Sequence, residues 1–330
     1  MAETEEDLEV DTLPGVGPAT KQKLKDAGIE TIFDLAVAGP MDIAEAVDID
    51  VSKAVDLNNK ARKKLVELNK LEPDFINAAD LLVKRKAIDR ISTGSKNLDD
   101  LLGGGIETWA MTEFFGEFGS GKSQICHTLC VMVQQAKEDG GLDAGAVYID
   151  TEGTFRPERI QEIAEARGID AEKVLSHITV ARAYNSAHQE LIVKDLGRIL
   201  QPNKIKLVIL DSAVAHYRAE FLGRGTLAER QQRLNRFMHQ LLRTAEIYNV
   251  AVVVTNQVQA APDSFFGDPT RPTGGHVVAH TSTYRIYLRK AAKNRIARMV
   301  DSPYHPERDT VFVLNEKGID DPSEESTRKK

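Results

Sequence analysis

The sequence predicts an α/β fold, a mostly parallel sheet flanked by helices, with a small all-α domain in front of it. Two textures and one motif predict it. From about Ala87 onward, apolar runs of strand length alternate with longer stretches of helical period, the order that builds parallel sheets covered by helices. Ahead of that point the apolar spacing is helical only. Early in the second texture a strand, a glycine-rich turn and a helix follow one another, as a phosphate-binding loop requires.

At 330 residues the chain exceeds the usual size of one domain, and 42% apolar with 28% charged residues is a globular balance. No apolar run approaches the ~18 residues that a membrane span needs, so no membrane partner is expected. The only cysteines, Cys126 and Cys130, stand four apart on a predicted helix and make no disulfide framework, which points to a reducing cytoplasm. The opening MAETEEDLEV is acidic where a secretory or transit leader is basic. The net charge of −7 argues against a nucleic-acid partner. However, Glu3, Glu5, Glu6, Asp7, Glu9 and Asp11 all precede the first base, and the remainder is nearly balanced. Within it bases cluster at Lys60–Lys64, Lys84–Lys86, Arg218–Arg236 and Arg285–Arg298, although any one run taken alone reads as a solvated helix face.

The small domain is placed at residues 1–71, with an acidic tail over 1–11. Its helices are expected at Ala19–Ala27, Ile32–Val37, Ile43–Val47 and Val51–Leu71, with a break at Gly28. Glu72-Pro73-Asp74 is expected to end the last of them, because proline lacks a donor and restricts the residue before it. Residues 72–86 then read as a linker and 87–330 as the core. Core strands are expected at Met111–Phe115, Ala146–Ile149, Ile178–Val180, Leu207–Leu210 and Val250–Val254. Core helices are expected at Ile125–Lys137, Arg156–Arg167, Ser186–Leu200 and Leu227–Tyr248. Val258–Gly275, with three prolines and three glycines, has no usable period and reads as a long loop, of the functional or disordered kind. The polar tail Asp320–Lys330 is expected to fray.

Gly116-Glu117-Phe118-Gly119-Ser120-Gly121-Lys122-Ser123 fits G-x-x-x-x-G-K-[ST] directly after the run Met111–Phe115 and before a helix opening near Gln124. Its glycines let successive N–H groups curl round a phosphate, and the helix start adds a partial positive charge. Lys122 would bridge the terminal phosphates of ATP, and the Ser123 hydroxyl would reach Mg²⁺. Asp211 closes an apolar strand and is placed near the same metal. Glu152, past the end of a second strand, suits a base that polarises the attacking water, although acids also favour the region before a helix. Gln257, at a third strand end, is an uncharged group able to sense the γ-phosphate. His276 and His280 stand four apart without a third ligand in a recognisable spacing, so no zinc site is expected there, and Cys126 and Cys130 read as small core residues.

The phosphate loop, Asp150-Thr-Glu-Gly-Thr-Phe-Arg-Pro-Glu-Arg159, Leu210-Asp-Ser212, Asn256-Gln-Val258 and Gly274-Gly-His-Val-Val-Ala-His280 together resemble the archaeal branch of the RecA-family strand-exchange recombinases, from about Leu13 to Gly318. The resemblance implies a RecA-like P-loop ATPase core behind a small helix-hairpin-helix domain. It implies that Glu152 activates water, that Lys122, Ser123 and Asp211 hold phosphate and Mg²⁺, and that Arg159 stacks on adenine. It implies that Gln257 and His280 link the γ-phosphate to DNA-binding loops, and that Asp301-Ser-Pro-Tyr-His-Pro306 caps ATP in trans on a neighbouring subunit. A monovalent cation, K⁺, beside the γ-phosphate would fall near Asp301 and His280.

Two loops would face DNA. Arg218–Arg230, with Arg218, Arg224 and Arg230 around a glycine turn, suits flexible contact with phosphates and bases. The second runs from Val258 to Gly274 and Gly275; its Phe265 and Phe266 either stack on bases or pack back on the protein. Phe75-Ile-Asn-Ala78 matches the family's polymerisation motif, in which the ring enters a pocket on the next subunit, against the alternative of an apolar contact within the chain. Leu13-Pro-Gly-Val-Gly-Pro-Ala resembles a hairpin that binds a DNA phosphate or serves only for packing. Trp109, where relatives tolerate small or polar residues, is a candidate subunit contact.

The resemblance therefore implies a DNA-dependent ATPase with single- and double-stranded DNA and its own copies, in a helical filament or ring, as partners. It would be cytoplasmic and nucleoid-associated, and its recombination mediators are not specified. Two alternatives share the phosphate loop. A ring-forming helicase is disfavoured by the Phe75 motif and the hairpin domain, and a non-exchanging mediator paralogue by the presence of both that domain and the DNA loops.

Overall fold

In this computed structural model the described residues are 8–73, 75–223, 225–260, 270–272 and 276–323, with the main chain alone at 259, 260, 270–272 and 276. After a 3₁₀ turn at Val10–Thr12, the described chain forms four helices, α1 (Pro18–Asp26), α2 (Ile32–Val37), α3 (Pro40–Val47) and α4 (Val51–Glu67). Three of the four starts have a local cause. Proline occupies the first turn of α1 and α3, where its missing donor is not needed. Thr31 and Asp34 form a reciprocal capping box on α2. Along α4 the buried residues Ala54, Leu57, Ala61 and Leu65 recur at helical spacing, and the helix packs on α2 and α3.

The end of α4 corrects the expectation that it runs to Leu71 and is stopped by Pro73. Asn69 adopts φ 54°, and the Lys70 N–H bonds back to the Leu65 carbonyl at 2.8 Å, so the helix closes in a left-handed cap before the proline is reached. The linker is also not structureless, because α5 (Ala78–Lys86), capped by Asn77, lies in it with no buried residue.

The core continues through β1 (Arg90–Ile91), α6 (Lys96–Leu101), β2 (Ile106–Glu107), β3 (Met111–Gly116), α7 (Lys122–Met132), β4 (Gly145–Asp150), α8 (Pro157–Ala166), α9 (Ala171–Ser176) and β5 (Ile178–Arg182). Next come α10 (Ser186–Lys194), α11 (Gly197–Leu200), β6 (Ile205–Asp211), α12 (Ala215–Glu220), α13 (Leu227–Tyr248), β7 (Ala251–Ala260) and β8 (Thr270–Pro272). The described chain closes with α14 (His276–Thr281), β9 (Tyr284–Ala291), β10 (Asn294–Asp301), β11 (Asp309–Asn315) and β12 (Gly318–Asp320). The sheet order is β12-β11-β10-β9-β3-β7-β6-β4-β5, with β9 to β5 mutually parallel and β10 to β12 added as antiparallel returns.

The helix expected over Ile125–Lys137 stops at Met132, and the one over Ser186–Leu200 breaks into α10 and α11. The Val258–Gly275 loop is likewise corrected at its base, where β7 continues to Ala260 and pairs antiparallel with β8, Val258 opposite Pro272. The basic run Arg285–Arg298 lies on β9 and β10, not on a helix, and Arg285 is buried in an ion pair with Glu113 at 2.7 Å.

Strands β3 and β4 are buried along their whole length, as expected of strands with helices on both faces. Successive residues serve opposite faces, so Tyr148 belongs to one apolar cluster and Val147 and Ile149 to the other. The second of these clusters runs without interruption from the sheet through α13 into the four N-terminal helices. Phe33 stacks on Tyr248 at 5.3 Å, and the Tyr248 hydroxyl donates to Asp34 Oδ1 at 2.6 Å. Asp34 Oδ2 is taken by the capping box, so Tyr248 is the one donor recorded for Oδ1 among the described residues.

Tyr248→Phe should keep the ring stack but leave Asp34 Oδ1 without its donor. Urea unfolding should show a loss of about 1–3 kcal/mol, the range for stranding a buried acceptor. An unchanged midpoint would mean that this hydrogen bond adds nothing to the joint between the two parts.

Candidate functional site

The parallel register brings the chemistry together. Gly116 of β3 stands opposite Gln257 of β7, and Asp150 of β4 opposite Asp211 of β6, so the ends of β3, β4 and β6 line up beside Gln257, past which β7 runs on to Ala260. In open parallel sheets this carboxyl edge is where ligands bind.

The phosphate loop joins β3 to α7. Gly119 and Gly121 adopt φ 71° and 111°, and a Cβ at Gly116 would lie 2.1 Å from the Leu288 carbonyl oxygen of β9, so the neighbouring strand leaves no room for a side chain there. Lys122 Nζ donates to the carbonyls of Gly116 at 2.8 Å and Glu117 at 2.9 Å, which holds the ammonium inside the loop. Burial lowers the affinity of that amine for its proton, while Asp211 and Glu152 act in the opposite direction. Phe118 points outward, almost fully exposed.

Asp211 is a collection point. Its Oδ2 accepts from Ser123 Oγ and from the Tyr148 hydroxyl, each at 2.7 Å, and its Oδ1 accepts from Thr255 Oγ1. Three different elements thus supply hydroxyls to one buried carboxylate. Glu152 is more open, and its Oε1 accepts from Ser212 Oγ at 2.9 Å and from Gln257 Nε2 at 3.1 Å. Sequence reasoning placed Glu152, Asp211 and Gln257 at strand ends, and the geometry brings them to one edge with Lys122 and Ser123.

Asp150 was not among the expected site residues, yet it shapes the site. Its Oδ1 accepts the N–H groups of Glu152, Gly153 and Thr154 at 3.0, 2.7 and 3.2 Å, and Arg182 Nη1 at 3.0 Å. Its Oδ2 accepts the Phe155 N–H at 3.2 Å. The acid that organises the turn before α8 is therefore Asp150, which leaves the Glu152 carboxylate for other work. The signal available in the sequence was an aspartate ending an apolar strand before a glycine turn.

Arg159 on α8 is held by Gln124 Oε1 at 2.9 Å, by Glu162 and by the Asn315 carbonyl, beside the start of α7. His127 is buried between Tyr148 and Phe155, and burial pushes its imidazole down to about 4, so it packs as a neutral ring. Cys126 and Cys130 are fully buried on α7, and burial raises both thiols, which makes them core residues.

Other expected residues lie elsewhere. Asp301 pairs with Arg285, level with Glu113 on β3, so Asp301 and the exposed Pro306 stand at the end of the strands opposite their own phosphate loop. His280 is exposed on α14 and lines a cleft with Gln231 and Asn235 of α13. Arg218 on α12 and Arg230 on α13 are half-buried, and Val258 continues β7 past Gln257. Arg224, Phe265, Phe266, Gly274 and Gly275 lie outside the described residues. Phe75 is 94% exposed. Trp109 is half-buried at φ 61°, its main-chain N–H bonded to the Val250 carbonyl.

A phosphate loop, a hydroxyl and a carboxylate in contact behind it, and a second carboxylate held by a glutamine across the same row define a phosphate-loop ATPase. Comparison with known proteins agrees and is more specific. Residues 84–322 match the Rad51 family, and residues 7–63 match the SAM-like helix-hairpin-helix tandem. The DNA repair and recombination protein RadA of Cenarchaeum symbiosum (strain A) is 52% identical over 320 residues, which cover 97% of this chain and 80% of that protein. The chain belongs to the Rad51 family.

Asp150→Ala removes four main-chain acceptor contacts while leaving the phosphate loop intact. Nucleotide binding should stay within about threefold, whereas turnover should fall by ~10- to 100-fold, the scale of a catalytic group displaced by about an ångström. Wild-type turnover in a steady-state phosphate-release assay would contradict the clamp.

Proposed function

We propose that this chain is a DNA-dependent ATPase that assembles on single-stranded DNA and catalyses homologous pairing and strand exchange in recombinational repair. One observation carries the reading. Gln257 donates to Glu152, beside the phosphate loop, from a strand that runs on without a break into the paired base of the Val258–Gly275 segment, which the resemblance assigns to DNA. Contact at that segment and the state of the ATP site therefore share one strand. A strand-exchange assay with ATP, Mg²⁺ and homologous DNA tests it. Product formation is expected, and ring-dependent unwinding without exchange would favour a helicase.

Within this reading Lys122 and the loop residues Gly116–Gln124 take the phosphates of ATP, and Arg159 takes the adenine. Mg²⁺ fits the oxygen donors of Ser123 and Asp211, which stand 2.7 Å apart. When bound, the ion offsets charge on the phosphate oxygens. Glu152 accepts the proton of the attacking water, and Ser212 and Gln257 fix the carboxylate for that task. The DNA-facing set is Arg218, Arg224, Arg230, Val258, Phe265, Phe266, Gly274 and Gly275.

The far position of Asp301 and Pro306 supports capping of ATP on a neighbouring copy, with a K⁺ site near Asp301 and His280 as part of the same shared pocket. Phe75, bare of its own chain, supports docking of the linker on the next subunit with Ala78 beside it. The outer edge of β5, unpaired among the described residues, with Val180 exposed on it and Tyr184 and Leu191 exposed in the stretch that follows, is a suitable receiver for the extended stretch around Phe75. The chain then divides into a hairpin domain at 1–71, a linker at 72–86 and the ATPase core at 87–330, working in the cytoplasm on the nucleoid.

Two substitutions separate chemistry from assembly. Glu152→Gln should keep ATP binding and slow DNA-stimulated hydrolysis by ~10²-fold or more, as expected on loss of a general base; wild-type turnover would remove Glu152 from that role. Phe75→Glu places a charge where a ring should dock, at a cost of several kcal/mol per interface. The variant should run as a monomer or small oligomer in light scattering, still bind ATP, and lose DNA-stimulated hydrolysis. Normal filaments would show that Phe75 does not join subunits.

A further inference from the structure

Away from the phosphate loop, one buried carboxylate gathers four elements. Glu107 on β2 is 2% exposed, and its Oε1 accepts from Arg85 Nη2 of the linker helix α5 at 2.7 Å. Its Oε2 accepts from Arg90 Nη2 of β1 at 3.0 Å and from the Tyr284 hydroxyl of β9 at 3.0 Å. The Tyr284 ring in turn lies against Tyr304 at 6.4 Å and His305 at 5.7 Å, both in the Asp301–Pro306 segment.

That segment is a shaped turn. Ser302 Oγ bonds His305 Nδ1 at 2.9 Å and the N–H groups of Tyr304 and His305 at 3.3 and 3.0 Å. On its other side Gly103, at φ 70°, would put a Cβ 2.5 Å from His305 Nε2, so the wall behind the turn is closed. Helix α5 has no buried residue, and Arg85 is its recorded polar tie to the core. Loss of that tie would therefore free the helix with little effect on the packed interior.

We propose that Glu107 is a positioning residue for the ATP site of the neighbouring subunit, because it joins the linker helix, through Arg85, and the capping turn, through Tyr284, to one buried carboxylate. The proposal rests on the reading that Phe75 docks on a neighbour and that Asp301–Pro306 caps a neighbour's nucleotide. Docking at the linker then fixes the cap in register. A bidentate acceptor with a fixed charge is required, since its two oxygens serve different elements and two guanidiniums face it.

The test compares wild type, Arg85→Ala and Glu107→Gln on single-stranded DNA, with KM and kcat for ATP hydrolysis read separately and assembly followed by light scattering. Arg85 sits on an exposed helix, so its variant keeps the fold even if Glu107→Gln does not. In Arg85→Ala, filaments should form and kcat should stay within about twofold, while KM should rise by ~10-fold, a usual size for coupling between sites. Arg85→Lys should restore part of the loss. In a Phe75→Glu background, where no neighbour is capped, Arg85→Ala should leave the affinity for a fluorescent ATP analogue unchanged. An unchanged KM in Arg85→Ala filaments, or an equal loss of affinity in the non-assembling background, would overturn the proposal. Filaments formed by Phe75→Glu itself would instead overturn the linker reading beneath it.

Discussion

The Asp211 carboxylate is the point on which the ATP site depends. Hydroxyls from Ser123 on α7, Tyr148 on β4 and Thr255 on β7 all reach it, so the helix behind the phosphate loop and the strands on both sides of β6 are locked to a single charge. A parallel sheet makes this possible. Register fixes which residues end level with each other, and crossover helices keep water from both faces. Apolar strands therefore do more than fill a core: they set the height at which lysine, serine and the two acids meet.

The same device recurs at three other acids. Asp150 gathers main-chain N–H groups and shapes the turn that presents Glu152. Asp34 caps α2 with one oxygen and binds Tyr248 with the other, which joins the N-terminal helices to α13. Glu107 joins the linker helix to the core and to the turn beyond β10. Each replaces lost hydration with charge-assisted hydrogen bonds from more than one element, so each fixes geometry that apolar contact alone leaves loose.

Legibility in the sequence followed the range of the interactions. The phosphate loop was readable because its constraints are local: glycines at positive φ, then lysine and serine at a helix start. Leu227–Tyr248 was readable to the residue because its apolar period is long and regular. Strands β9 and β10 were hidden by their arginines and lysines, which decorate a half-solvated hairpin and read as a basic patch, although Arg285 is buried against Glu113. The end of α4 was misplaced because Pro73 is a visible stop, whereas a left-handed asparagine cap is not. Asp150 and Asp34 escaped notice because their local patterns, an aspartate before a glycine turn and a threonine three residues ahead of an acid, are short and common, while the contact that gives Asp34 its reach comes from Tyr248, 214 residues away.

On the proposed function a subunit holds the phosphate end of the ATP site while the cap comes from its neighbour, so neither copy is complete alone. Mixing two inactive variants tests this most directly. Lys122→Ala lacks a working phosphate loop but keeps its cap, and a chain with Asp301 and Pro306 both changed to alanine keeps the loop but lacks the cap. Each alone should show little DNA-stimulated hydrolysis, and a mixture should recover part of it, because some neighbours then pair an intact loop with an intact cap. A mixture no more active than its components would show that each chain completes its own site.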